Sequence, residues 1–136
     1  MANVLFVCIE NACRSQMAEG IANYLAKGTL KAFSAGSDPA EGVNPDAVKV
    51  MQEIGIDISH AHPKGFGLLP LSKFDYVVTL GCKDTCPLIP AEQHIEWQIE
   101  DPKGKPVDFF RKVRDQIKER IELLDIDLSK GKNQAG

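Results

Sequence analysis

The chain has 136 residues, 43% hydrophobic and 26% charged, the balance of a soluble globular domain with room for a real core. Sixteen Lys and Arg against nineteen Asp and Glu leave a net charge of −3 with no basic block, which argues against nucleic-acid binding. The apolar runs are too short to span a bilayer and "MANVLFVC" lacks the features of a signal peptide, so no membrane partner and a cytoplasmic location are expected.

"NVLFVC" is a short apolar run of the kind that forms a buried parallel strand. Ser15 can cap a following helix, "SQMAEGIANYLAK", with Met17, Ile21, Tyr24 and Leu25 on one face and Gly28 at its end. "LKAFSAG" reads as a second strand. Asn44 and Pro45 open the next helix, "NPDAVKVMQEIG", which Gly55 stops. "HAHPKGFGLLP" is loop with one helical turn. "FDYVVTL" is a third, buried strand and "GCKDTCPLIP" a loop. "HIEWQI" alternates, with Ile95, Trp97 and Ile99 on one face, as an edge strand would. "VDFFRKVRDQIKERIELLDIDL" is an amphipathic helix carrying Phe109, Val113, Ile117, Ile121 and Leu124 on its buried stripe. Residues 1–128 should form one domain, followed by a polar tail, 129–136, expected to be disordered. Strands alternating with helices imply an α/β fold built on an open parallel sheet, and a monomer is expected.

Such sheets bind ligands at the carboxyl ends of their strands. At the first of these ends stands "VCIENACRSQ", Val7 to Gln16. Cys8 closes the strand, Arg14 follows after five residues, and Ser15 opens a helix. A tight loop over Cys8, Ile9, Glu10, Asn11, Ala12, Cys13, Arg14 and Ser15 can turn backbone N–H groups inward, and the helix N-terminus adds positive charge. Arg14 offers a planar fork matched to two oxygens of a tetrahedral oxyanion. The same groups favour a thiolate at Cys8. Asn11 tolerates a left-handed backbone and can fix the loop with its amide. The plainer alternative is a buried cysteine beside an unrelated surface arginine. The strand before, the helix after and the placement of Asn11 and Ser15 favour the oxyanion cradle.

"CIENACRS" resembles the phosphate loop of low-molecular-weight protein tyrosine phosphatases and of the arsenate reductases that share their fold. "CRSQMAEG", "GIDIS", "VVTL" and "EDP" recur in the same order in the reductase branch. The resemblance spans nearly the whole chain. It implies a three-layer α/β fold with a four-stranded parallel sheet flanked by helices, Cys8 as nucleophile and Arg14 as oxyanion clamp.

Asp101 follows the fourth strand and precedes Pro102, which stiffens the turn. Asp-Pro is by itself an ordinary turn; its place at a strand end and its match to the family's Asp-Pro loop make Asp101 a candidate general acid. In the phosphatases an aromatic residue follows this proline, whereas here Lys103 follows, which argues against phosphotyrosine as substrate.

Four cysteines in a reducing compartment point to catalysis, redox exchange or metal binding. A hydrolytic phosphatase needs one thiol, but "GCKDTCP" adds Cys82 and Cys86. A reductase uses such thiols. Cys8 would attack arsenic, Asp101 would help water leave, and a second thiolate would attack the Cys8 sulfur and release arsenite, leaving a disulfide among Cys8, Cys82 and Cys86. The alternatives are two incidental loop thiols or a zinc knuckle at Cys82 and Cys86, for which no other Cys or His pair has suitable spacing beyond His60 and His62; no metal is expected. Gly81 shifts Cys82 by one position from the pattern of thioredoxin-coupled members, so thioredoxin and glutathione with glutaredoxin both stay open as reductant. Cys13 is either a packing residue or another partner for Cys8.

Arsenate reduction is therefore expected, with arsenate as substrate, phosphate or sulfate as analogues and no bound cofactor. A phosphomonoester hydrolase and a non-catalytic oxyanion or thiol-metal binding module are the alternatives. The resemblance also implies, for thioredoxin-coupled members, a potassium ion beside the loop at residues matching Asn11, Glu19 and Ser34 and an Asp after "GIDIS". Here Lys64 stands at the place of that Asp, so an ammonium group in place of the ion is expected, with a solvated lysine as the alternative.

Overall fold

The structure, a computed structural model, describes residues 1–81 and 89–135, the side chains of 131–135 excepted. Cys82 and Cys86 lie outside the described residues. Strands β1 (Ala2–Cys8), β2 (Leu30–Gly36), β3 (Phe74–Thr79) and β4 (Ala91–Glu96) form one wholly parallel sheet in the order β2-β1-β3-β4. Helices α1 (Arg14–Leu25), α2 (Pro45–Gln52) and α3 (Val107–Ala135) and a 3-10 turn at Phe66–Leu68 complete the fold. This is the expected α/β architecture.

β1 is central, and Val4 to Cys8 are all buried, as a strand covered on both faces requires. The chain passes to one side of β1 for β2 and to the other for β3. The carboxyl end of β1 is therefore a switch point where the connecting segments diverge and leave a crevice. Cys8 pairs with Gly36 in the β2 register, and Val7 pairs with Thr79 in β3.

One face of the sheet packs on α1, α2 and α3 through Phe6, Met17, Ile21, Met51, Phe110, Ile117 and Ile121. Removing one such aliphatic side chain to alanine costs about 2–5 kcal/mol in close-packed cores. The other face gathers Leu5, Val7, Phe74 and Val77 under Phe66, Leu69 and Leu71. Asn23 on α1 serves the outer edge of β2: its side chain accepts from Ala32 N at 2.9 Å and donates to Ala32 O at 3.2 Å.

Several details differ from the sequence reading. Ser15 does not cap α1. Cys13 is the N-cap and makes no side-chain bond there, while the Ser15 hydroxyl is engaged with the cysteine loop. The buried stripe of α1 is Met17, Ala18, Ile21 and Ala22; the alanines pull it round the helix, so Tyr24 falls at its edge and is 61% exposed, and Leu25 sits in the open last turn. β4 begins three residues earlier than the alternation implied. Ala91 to Gln93 are polar or small, but an edge strand tolerates that, and after Trp97 N donates to Thr79 O the chain leaves the ladder. Trp97 and Ile99 are buried without pairing. On α3 the core residue is Phe110; Phe109 is half-buried with the Lys105 ammonium over its ring. The helix runs on to Ala135 past the boundary expected at 129, since no proline or capping residue stops it at Leu128. Asn44 does cap α2, its Oδ1 accepting from Asp46 N at 2.9 Å, an interaction worth about 1 kcal/mol. No helix among the described residues is long and apolar enough to cross a membrane.

Candidate active site

Cys8 ends β1 and is 3% exposed. The loop that follows is bound from outside by the segment after β2. Asp38 N donates to Ile9 O at 2.8 Å, Ala40 N to Glu10 O at 3.0 Å and Asn44 N to Ala12 O at 2.9 Å. Drawing these carbonyls outward leaves the N–H side of the loop for the cleft, the arrangement of an anion-binding nest. Gly36 permits the approach, because a Cβ there would lie 2.5 Å from Ile9 O and 2.9 Å from Asn11 N.

Asn11 holds the curve. It is fully buried, with φ +52 in the left-handed region. Its Oδ1 accepts from Lys64 N and from Gln16 Nε2, both at 3.0 Å, and its Nδ2 donates to Ser15 Oγ at 2.7 Å. Ser15 Oγ lies 2.9 Å from Cys8 Sγ. Because Asn11 donates to that oxygen, the serine hydroxyl hydrogen is free to point at the sulfur. Gln16 also donates to His62 O at 3.1 Å, which secures the 62–64 segment beneath the loop.

Arg14, the first residue of α1, is 6% exposed. Its Nη1 donates to Leu80 O, just past β3, and to Ile99 O at 3.1 Å. Its Nη2 lies 3.6 Å from Asp101 Oδ2. The guanidinium is thus fixed by carbonyls from two other strand ends and links the loop to the Asp-Pro turn. A small cleft is lined by Cys8, Ile9, Glu10, Ala12, Cys13, Arg14 and Asp101. Asp101 stays half exposed, and its Oδ1 accepts from Lys103 N at 3.0 Å.

Cys13 also faces this cleft. Burial first, then the negative charges of Asp101 and Cys8, push its thiol up to about 12, so it stays protonated at neutral pH. Among the described residues, no three His, Cys, Asp or Glu side chains come together as a metal site.

The structure thus brings Cys8, Arg14 and Asp101 together, with Ile9, Glu10, Ala12 and Cys13 around them, and sets the Asn11 and Ser15 side chains beneath the cleft as scaffolding. Sequence reasoning missed Gln16, a buried polar residue beside the apolar stripe of α1, and the close approaches at two glycines near strand ends, Gly36 and Gly81. A glycine directly after a β-rich run is the available signal for such close approaches. The Lys64 ammonium lies 3.8 Å from Glu19 Oε1, which also accepts from Ser34 Oγ at 2.9 Å. With a fixed positive charge already beside Glu19, these residues do not fit a potassium ion.

A thiol at the end of a central parallel strand, faced by an arginine at a helix N-terminus and a carboxylate from a third loop, defines a cysteine-dependent enzyme that handles tetrahedral oxyanions. The chain belongs to the low molecular weight phosphotyrosine protein phosphatase family, which it matches over residues 3–134. It is 41% identical over 132 residues to the glutaredoxin arsenate reductase of Synechocystis sp., covering 95% of this chain and 100% of that protein. A solved arsenate reductase in the phosphate-binding state superposes with a TM-score of 0.84 at 40% identity, covering 94% of this chain and 99% of the other. The thioredoxin-dependent arsenate reductase of Corynebacterium glutamicum superposes with a TM-score of 0.77 at 31% identity, covering 96% of this chain and 63% of that one.

Proposed function

We propose that this chain reduces arsenate to arsenite by a cysteine relay. The observation that carries the reading is the convergence of Cys8, Arg14 and Asp101 on one small cleft in a chain similar over 95% of its length to an arsenate reductase. Arsenate is tetrahedral and anionic like phosphate, so it fits the same cradle. The Cys8 thiolate attacks arsenic; an arsenate oxygen leaves as water, with Asp101 as general acid and Arg14 holding the remaining oxygens. A second thiolate then attacks the Cys8 sulfur. The S–As electron pair passes to arsenic, which falls from the +5 to the +3 state as two thiols become one disulfide. Arsenite departs. Phosphorus does not accept that electron pair, so phosphate binds without turnover.

Cys82 and Cys86 are assigned as the relay thiols, and a thiol reductant restores them. Thioredoxin and glutathione with glutaredoxin are the two candidate couples. The relay needs free thiols, which places the enzyme in a reducing compartment, the cytoplasm. The test is arsenate reduction with each couple, beside hydrolysis of an aryl phosphate without reductant, in wild type and Cys8→Ser. Arsenite production with at least one couple, abolished by Cys8→Ser, is expected. A serine hydroxyl without a base is a poor nucleophile. Hydrolysis of the ester with no arsenite from either couple would replace this reading with the phosphatase one.

A further inference from the structure

Glu10 and Lys103 face each other at the mouth of the cleft. Glu10 lines it from the cradle side, and Lys103 stands two residues past Asp101, which lines it on the other side. Lys103 Nζ donates to both carboxylate oxygens of Glu10, at 2.8 and 2.7 Å. Its backbone N–H holds Asp101 Oδ1 at 3.0 Å, closing an Asx turn over the buried Pro102. The next residues turn back at once, with Lys105 N donating to Pro102 O at 2.9 Å and Gly104 at φ +82. One residue therefore sets the Asp101 carboxylate and ties its short loop to the cradle.

The direction of the reaction shows what this bridge would exclude. In-line attack by Cys8 requires the leaving oxygen to point out of the cradle toward Asp101. When that oxygen leaves as water, nothing extends beyond it. When it belongs to a phenol ester, an aromatic ring must lie just outside the cradle, where Glu10 and Lys103 meet. We propose that the Glu10–Lys103 bridge is a specificity determinant that restricts the cleft to unesterified inorganic oxyanions, with Lys103 as the positioning residue for the Asp101 loop. The proposal rests on the arsenate-reductase reading. The hydrogen bonds that Lys103 donates to Glu10, then the Glu10 charge, raise the Lys103 ammonium above its ordinary range, so the lysine keeps its charge throughout the neutral range. The bridge also neutralises a carboxylate that would otherwise repel an arriving oxyanion.

The test compares Lys103→Ala, Glu10→Gln, the double variant and Lys103→Arg. Three quantities are measured: hydrolysis of para-nitrophenyl phosphate without reductant, arsenate reduction with both thiol couples, and competition by inorganic phosphate. Either uncoupled variant should raise the ratio of aryl phosphate to arsenate kcat/KM by about tenfold or more, within the range that one pocket contact controls. The double variant should do no more than either single one, because all three break the same bridge. Lys103→Arg retains the pair and should retain the wild-type ratio. An unchanged ratio in all the uncoupled variants overturns the proposal. So does a parallel fall in both activities, which is what a merely structural role gives. If wild type reduces no arsenate with either couple, the reductase reading fails by itself; aryl phosphate hydrolysis measured against phosphate competition still judges the bridge.

Discussion

Arg14 occupies space that only a glycine at position 81 leaves open: a Cβ on Gly81 would stand 2.5 Å from Arg14 Nη1 and 3.2 Å from Ile99 O. Gly81 also takes φ +93, where an L side chain is strained. The residue that shifts Cys82 one place along the chain is therefore also the one that seats the Arg14 guanidinium. Gly81→Ala should weaken inorganic phosphate binding by about tenfold or more and cost about 1–3 kcal/mol of stability, as overpacking does. Gly42→Ala, with nothing within 4 Å of its added carbon, is the matched control and should change neither. Phosphate titration and thermal unfolding of both variants check this.

The relay should run outward from the cradle. We expect Cys82 to attack Cys8 and Cys86 then to attack Cys82, because Leu80 O already holds Arg14 and Cys82 is two residues further on. Cys82→Ser should bind arsenate and release little arsenite. Cys86→Ser should release about one arsenite per enzyme and stall with Cys8 bound to Cys82. Peptide mapping of alkylated protein after one turnover identifies the bridge. A Cys8–Cys86 bridge with normal arsenite yield in Cys82→Ser would reverse the order.

Lys64 is expected to govern the response to monovalent cations. Its ammonium beside Glu19 supplies the charge that a monovalent ion would bring, so activity should not change when potassium replaces sodium at constant ionic strength. Lys64→Ala should remove that indifference or weaken the cradle, since Glu19 is then left without its positive partner while Ser34 still donates to it. Initial rates in the two salts, for both proteins, decide the matter.

Acid should unfasten α2 from α3. Glu53, at the end of α2, accepts from Arg111 Nε at 3.0 Å and from Arg114 Nη1 at 2.8 Å. Hydrogen bonds from Arg111, then Arg114, lower its carboxyl from 4.5 to about 2. A depressed acid stabilises the fold above its unfolded value and loses that contribution as pH falls through the folded one. Glu53→Gln should therefore lower Tm at pH 7, and the gap between variant and wild type should narrow from about pH 4.5 and close near pH 2. Thermal scans across this range test it; a gap that is constant with pH would remove Glu53 from the acid response.

Local pattern carried most of the fold into the sequence. The run Val4 to Cys8 is buried strand because nothing else satisfies so continuous an apolar stretch, and Asn44-Pro45 opens α2 through a cap and a preset φ. The geometry of the loop was legible for the same reason: Cys8, Asn11 and Arg14 lie within eight positions. What escaped depends on tertiary approach. Ser15 has the chemistry of a cap, and only the arrival of Cys8 and Asn11 beside it diverts the hydroxyl. The anchors of Arg14 are main-chain carbonyls, which any residue carries, so no side-chain pattern could announce Leu80 or Ile99. The Glu10–Lys103 contact joins residues 93 apart and has no local signature.

The buried amide of Asn11 has a thermodynamic consequence. The chain itself supplies the bonds of that amide, with Lys64, Gln16 and Ser15, besides those that Asp38, Ala40 and Asn44 make to the loop carbonyls. Backbone entropy in the loop is therefore lost once, as the protein folds, and not again each time an oxyanion arrives. Affinity at the site is then governed by desolvation and charge, and the binding enthalpy should follow the ionisation of the ligand more closely than any ordering of the protein.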